Sequence, residues 1–184
     1  MANSIALVGA PGSGKTELAN DLVETEQFQD HVVIDNYAQT TSTYTNLALG
    51  PYATYVGNYL VAADRLRREV RAIKHNEDHI VCGTLIETAV YMSMRGGLDN
   101  VGGSSEANRI AAFMQMLGML FNDVGGYDKI FYLPLVDGSE INKRVDSEIV
   151  DALGVFGVPY ITLGEDRVQE VLDAFSEPAS TEIE

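Results

Sequence analysis

The sequence predicts an α/β fold, a parallel sheet covered by helices on both faces. Three observations carry that prediction. Five short apolar runs of strand length punctuate the 184 residues: "SIALVG", "HVVID", "HIVCGT", "KIFYLP" and "PYITL". Between them lie stretches with apolar residues at helical spacing. The junction of the first run with the first helical stretch is "GAPGSGKT". Continuous apolar strands alternating with amphipathic helices belong to sheets buried on both faces. Ligands of such sheets sit beyond the carboxyl ends of the strands, so the strand ends are where chemistry is sought.

The first strand ends in Gly9, followed by four residues and then Gly14, Lys15 and Thr16, the spacing of a phosphate-binding P-loop. Its glycines let successive N–H groups turn inward around an anion. The helix that follows adds its unpaired N–H groups and the positive end of its dipole. Ala10, Pro11, Gly12, Ser13, Gly14, Lys15 and Thr16 are the expected nucleotide-binding residues. Lys15 brings a mobile cation to the outer phosphates, and the Thr16 hydroxyl is a ligand for Mg²⁺. A glycine-rich turn without a ligand is the competing reading. The context opposes it: an apolar strand precedes the motif, and "KTELANDLVETE", with Leu18 and Leu22 one turn apart, follows it.

Strand two ends in Asp35. A carboxylate facing a bound γ-phosphate can accept the proton of an attacking hydroxyl or hold Mg²⁺ through water, whereas an Asp-Asn turn is the plainer reading. Strand three ends in Cys82-Gly83, where many P-loop proteins carry a metal-binding carboxylate. Glu87 either substitutes as a metal ligand or closes a capping box with Thr84. After strand four, Lys143 and Arg144 are cations able to neutralise a transferring phosphoryl group, or a solvated face paired with Glu140 or Glu148. Arg65, Arg67, Arg68 and Arg71 share one helical stretch with Val56, Tyr59, Leu60, Ala63, Leu66, Val70 and Ile73. They bind an acceptor phosphate or pair with Asp64 and Glu69, surface charge being the commoner case. Two long connections, 36–55 and 95–109, interrupt the scheme. The first is rich in tyrosine, and the apolar 110–121 stretch after the second reads as a core helix.

The length suits one domain, expected over residues 1–175, with 176–184 a solvated acidic tail. A net charge of −15 repels nucleic acid and anionic membranes, so any polyanion must meet a local basic patch. No run has membrane-spanning length, and no secretory signal pattern opens the chain. Cys82 is the sole cysteine, which excludes an internal disulfide and fits a reducing cytoplasm; its apolar run marks it as an inert core residue. The histidines lack metal-ligand spacing.

With "GAPGSGKT", Asp35, "GTLIETAVY", "YDKIFYLP" and "GVPYITLGEDR" in hand, the chain resembles the P-loop kinases of small molecules. It is most similar to the branch of nicotinamide-riboside-kinase-like domains and bacteriophage kinases of nucleotides or modified bases. The resemblance implies a three-layer P-loop NTPase fold with a five-stranded parallel sheet, and ATP with Mg²⁺ as phosphate donor. It also implies catalytic roles for Lys15, Asp35 as acceptor-side carboxylate and Arg144 as lid arginine, with "GEDR" beside the adenine. The expected function is a kinase of a nucleoside, nucleotide or hydroxymethylated pyrimidine, free or in DNA. A P-loop NTPase or nucleotide-controlled binding module without such an acceptor is the alternative. The expected partners are the nucleotide donor and a small acceptor, with modified DNA and a second copy of the chain left open, and no membrane.

Overall fold

The computed structural model describes residues 3–35, 55–98, 127–155 and 157–176. In chain order its elements are β1 (Ser4–Val8), α1 (Lys15–Val23), β2 (Val32–Ile34), α2 (Tyr55–His75) and β3 (His79–Cys82). They continue with α3 (Leu85–Leu98), β4 (Lys129–Tyr132), α4 (Glu140–Val155), β5 (Ile161–Thr162) and α5 (Arg167–Ser176). Each of the five apolar runs forms a strand. The strands make one parallel sheet in the order β2-β3-β1-β4-β5.

β1 lies at the centre and its side chains alternate between two faces, as strand geometry requires. Ile5 and Leu7 join Ile80, Cys82 and Phe131 against Leu18, Ala19 and Leu22 of α1 and Val171 of α5. Ala6 and Val8 join Ile130 against Ile86 and Val90 of α3 and Val145, Ile149 and Leu153 of α4. α2 completes that second layer, with Ala72 on Ile34 and Val81 and Ala62 on α3. The result is a three-layer fold. β1 is buried at every position, and each large aliphatic side chain so buried contributes about 1.5–3 kcal/mol, which fixes the strand that feeds the glycine-rich loop. The chain leaves β1 toward the β2 edge and leaves β4 toward the β5 edge. The two loops diverge, opening a crevice at the carboxyl ends of the central strands.

One boundary differs from expectation. α3 runs through Arg95, Gly96, Gly97 and Leu98, which the sequence marks as the start of a loop. A glycine inside a helix costs only about 1 kcal/mol, less than the packing of Ile86, Ala89, Val90 and Met92 supplies. Residues 36–54 and 99–126, with Tyr37, Tyr44, Tyr52 and the apolar 110–121 stretch, lie outside the described residues, as does the tail beyond Ser176. Among the described residues no helix is long and apolar enough to cross a membrane.

Two stability predictions follow from this packing. Leu22 is fully buried between α1 and the sheet, so Leu22→Ala should cost about 2–5 kcal/mol in urea denaturation. His31 packs edge-on to Phe28 with ring centroids 4.8 Å apart. Burial, reinforced by His79 and opposed by Asp78, pushes its pKa below the usual histidine value. The folded state therefore prefers neutral His31. Its contribution is intact above about pH 6.5 and is lost as pH falls from there through the lowered folded pKa. His31→Leu should flatten the fall in Tm on acidification from pH 7, relative to the wild type.

Candidate functional site

The crevice is lined by the loop between β1 and α1. α1 opens on Gly14, whose backbone lies in the left-handed region (φ 91°, ψ 16°), and no side chain caps the helix. A glycine is needed there because a Cβ would strain that conformation. A side-chain cap typically adds about 1 kcal/mol, which this helix forgoes. Its first-turn N–H groups have no intrahelical acceptor and point back toward the end of β1 with the positive end of the dipole.

Lys15 is folded into the loop. Its Nζ donates to Gly9 O at 2.5 Å and Ala10 O at 2.9 Å, with Ser13 Oγ at 3.5 Å. Glu87 Oε1 faces the ammonium at 3.4 Å, and its side chain is only 1% exposed. Removing one partner of such a buried pair typically costs about 3–5 kcal/mol, because the other charge is left uncompensated.

Gly83 explains how Glu87 gets there. It follows β3 with φ 82°, and the Glu87 carboxylate occupies the space that a Cβ on Gly83 would need. The glycine standing where a strand-end carboxylate is expected makes room for one delivered from the first turn of α3. Thr84 Oγ1 accepts the Ile86 N–H at 3.2 Å, and Glu87 Oε2 accepts the Thr84 N–H at 2.9 Å. That is the capping box. Glu87 Oε1 also accepts the Gly9 N–H at 2.8 Å. With two backbone donors and the Lys15 ammonium on its oxygens, Glu87 is engaged as a brace of the loop. Among the described residues, no group of three or more His, Cys, Asp or Glu side chains is placed to hold a metal ion.

Further braces arrive from the far end of the chain. The Ala10 N–H donates to Asp146 Oδ1 at 3.4 Å, while Asp146 Oδ2 accepts the Tyr132 hydroxyl at 2.7 Å and the Leu135 N–H at 3.3 Å. Burial, and then the hydrogen bond to Asp146, push the Tyr132 phenol up, so it stays a donor. Asn142 Nδ2 donates to Pro11 O at 3.2 Å. Arg167 donates through Nη1 to Ser13 O at 2.5 Å and through Nη2 to Pro134 O at 3.3 Å. The sequence reading places "GEDR" near the nucleotide but does not single out Asp146, Asn142 or Arg167.

Asp35 ends β2 with its side chain 55% exposed, and Arg68 of α2 approaches it. Nη1 lies 3.4 Å from Asp35 Oδ1 and Nη2 donates to Asp35 O at 3.0 Å. Arg68 Nε also pairs with Asp64 at 3.1 Å. The arginine cluster is therefore not uniform surface charge. Arg67 is exposed and pairs with Asp64 as expected. Arg65 is instead 2% exposed and donates to Thr84 O at the start of α3. The apolar stripe expected of this helix includes Leu60, Val70 and Ile73, which are exposed, whereas Val61, Ala62, Arg65, Glu69 and Ala72 are buried. Next to it Glu69 is buried and accepts the Tyr127 hydroxyl at 2.7 Å. Desolvation there pushes the Glu69 carboxyl above its usual range.

Arg144 does not join the site in this structure. It is 60% exposed and pairs with Glu148 at 3.9 Å, one turn along α4. Asn142 takes the turn of the helix that faces the loop, leaving Arg144 on the outer side. Thr16 is exposed in the first turn of α1. Burial pushes the Cys82 thiol up to about 12, so it is inert, in line with the sequence expectation.

No protein-family model matches the sequence, and no curated protein does. Solved structures do match. NadR in complex with NR superposes with a TM-score of 0.72 at 17% identity, covering 100% of this chain and 51% of that one. Deoxyadenosine kinase from M. mycoides with bound dATP gives 0.59 at 14% identity, covering 95% of this chain and 100% of that one. Thymidylate kinase from Ehrlichia chaffeensis gives 0.57 at 16% identity, covering 95% and 98%. The fold is that of the P-loop kinases. At these identities the likeness is one of fold, and the chain spans about half the length of the NadR chain, 51%.

The Gly83–Glu87 contact sets an order of effects. Gly83→Ala should cost more than the roughly 1–3 kcal/mol of backbone strain alone, because it also displaces Glu87. Thr84→Ala should cost about 1 kcal/mol through the lost cap. Chemical denaturation of both variants checks the order, and equal effects would mean that Glu87 moves aside freely.

Proposed function

We propose that the protein is an ATP-dependent phosphotransferase acting on a nucleoside, nucleotide or hydroxymethylated pyrimidine, free or in DNA. The carrying observation is the uncapped first turn of α1, with the Lys15 ammonium held in a loop whose outward groups are already engaged. An uncapped helix start above such a loop suits an anion. Ala10, Pro11, Gly12, Ser13, Gly14, Lys15 and Thr16 would cradle the donor phosphates. Lys15 exchanges the carbonyls of Gly9 and Ala10 for phosphate oxygens.

Mg²⁺ would ride with the nucleotide and be held by the exposed Thr16 hydroxyl, where it neutralises phosphate charge. Glu87, committed to the loop, keeps at most a place in the metal's outer shell. On the acceptor side Asp35 takes the proton of the attacking hydroxyl as its oxygen bonds to the γ-phosphorus. The bond from that phosphorus to the bridging oxygen breaks, and the nucleoside diphosphate leaves with the electron pair. Arg68 orients Asp35. Arg144 reaches the phosphoryl group only after leaving Glu148.

The acceptor class draws on two supports. The neighbours include a deoxyadenosine kinase and a thymidylate kinase, and the sequence resembles the bacteriophage branch. The charge of −15 favours a free nucleotide or nucleoside over polymeric DNA.

Incubation of the protein with γ-labelled ATP and a panel of nucleosides, nucleotides and modified DNA should label one acceptor class. Asp35→Asn should lower transfer by about 10²–10⁴-fold while leaving donor affinity nearly unchanged. Labelled inorganic phosphate released without any acceptor, at an undiminished rate in Asp35→Asn, would favour an NTPase instead.

A further inference from the structure

We infer that Arg167 is a positioning residue for the phosphate cradle, an inference that rests on the nucleotide-binding reading above. Its guanidinium joins two loops at the mouth of the crevice. One hydrogen bond goes to Ser13 O within the glycine-rich loop at 2.5 Å, the other to Pro134 O after β4 at 3.3 Å. The contact is close: a Cβ added to Gly14 would lie 3.1 Å from Arg167 Nη1.

Peptide planarity gives this contact its consequence. In a trans peptide the C=O and the following N–H point to opposite sides. Fixing Ser13 O on Arg167 therefore turns the Gly14 N–H away from Arg167. Gly14 also begins α1 without a side-chain cap, so the peptide that Arg167 aims is the first of those facing an incoming anion. The guanidinium is planar and permanently charged, so it can hold two carbonyls at once and still add positive potential beside the loop. Arg144, by contrast, is turned to Glu148.

Because it acts through backbone that meets phosphate, Arg167 should govern phosphate affinity irrespective of the base. Calorimetry with Mg-ATP, Mg-GTP and Mg-tripolyphosphate on wild type, Arg167→Met and Arg167→Lys tests this, at a temperature well below each variant's Tm. Arg167→Met should weaken all three ligands by a similar factor, about ten- to a hundredfold, the scale of one charge-assisted hydrogen bond. Arg167→Lys keeps the charge and reaches one carbonyl, and should recover part of the loss. Should Arg167→Met not fold, Arg167→Lys decides alone, since it must bind all three less tightly than wild type.

Three results would overturn the inference: wild-type affinities in a variant whose Tm has fallen, full recovery by lysine, or a loss for the nucleotides that spares tripolyphosphate. The last would make Arg167 a contact to the nucleoside. Wild-type protein that binds none of the three would overturn the nucleotide reading itself, a failure visible before any variant is made.

Discussion

The structure depends on the way one glycine-rich loop is held from outside. Ordering a residue costs about 1–2 kcal/mol of backbone entropy, and glycine loses the most. The loop cannot bury itself, so side chains from three helices fix it. Glu87 and Asp146 accept the N–H groups of Gly9 and Ala10, and Asn142 and Arg167 donate to the carbonyls of Pro11 and Ser13. Acceptors meet the strand side of the loop and donors meet its middle. The N–H groups that begin α1 are left to face the crevice. The sheet serves this arrangement by burying β1 on both faces, which gives the loop a rigid origin.

That arrangement also balances charge. Two carboxylates beside the loop would repel an anion if they stood alone. Lys15 and Arg167 offset them, and the helix dipole adds to the positive side. The Lys15 ammonium is matched by Glu87 and two carbonyls, so no unpaired buried charge accumulates. Under the proposed function, binding a phosphate is an exchange of partners for Lys15, and affinity is the difference between two well-satisfied states.

The strands and the loop were legible in the sequence because their signals are local. A run such as "SIALVG" is apolar over consecutive residues, and the Gly9-to-Thr16 spacing spans a single turn of chain. Glu87 was half legible: the capping box is a three-residue pattern, but its bond to Gly9 crosses 78 positions. Asn142 and Arg167 lie 131 and 154 positions from their loop partners. Only the parallel topology brings them there, and no spacing rule encodes it. Arg65 failed for another reason. The expected apolar stripe ran through Leu60, Val70 and Ile73, and a charged residue carries a strong expectation of exposure, yet Arg65 is buried and donates to the Thr84 carbonyl. Arg144 had two readings, a lid cation or a solvated helical face, and the structure shows it paired with Glu148.

The strand order also sets the dimensions of any reaction. β3 lies between β2, which ends in Asp35, and β1, which ends in the loop. Two strand spacings of about 4.8 Å separate them, roughly 10 Å in all. In the proposed transfer an acceptor hydroxyl approaches phosphorus to about 3–3.5 Å within that span. The floor of that gap is the end of β3, where Gly83 presents no side chain and Glu87 enters from α3 instead. Delivered from the helix, Glu87 lies beneath the loop, where it accepts the Gly9 N–H and faces the Lys15 ammonium.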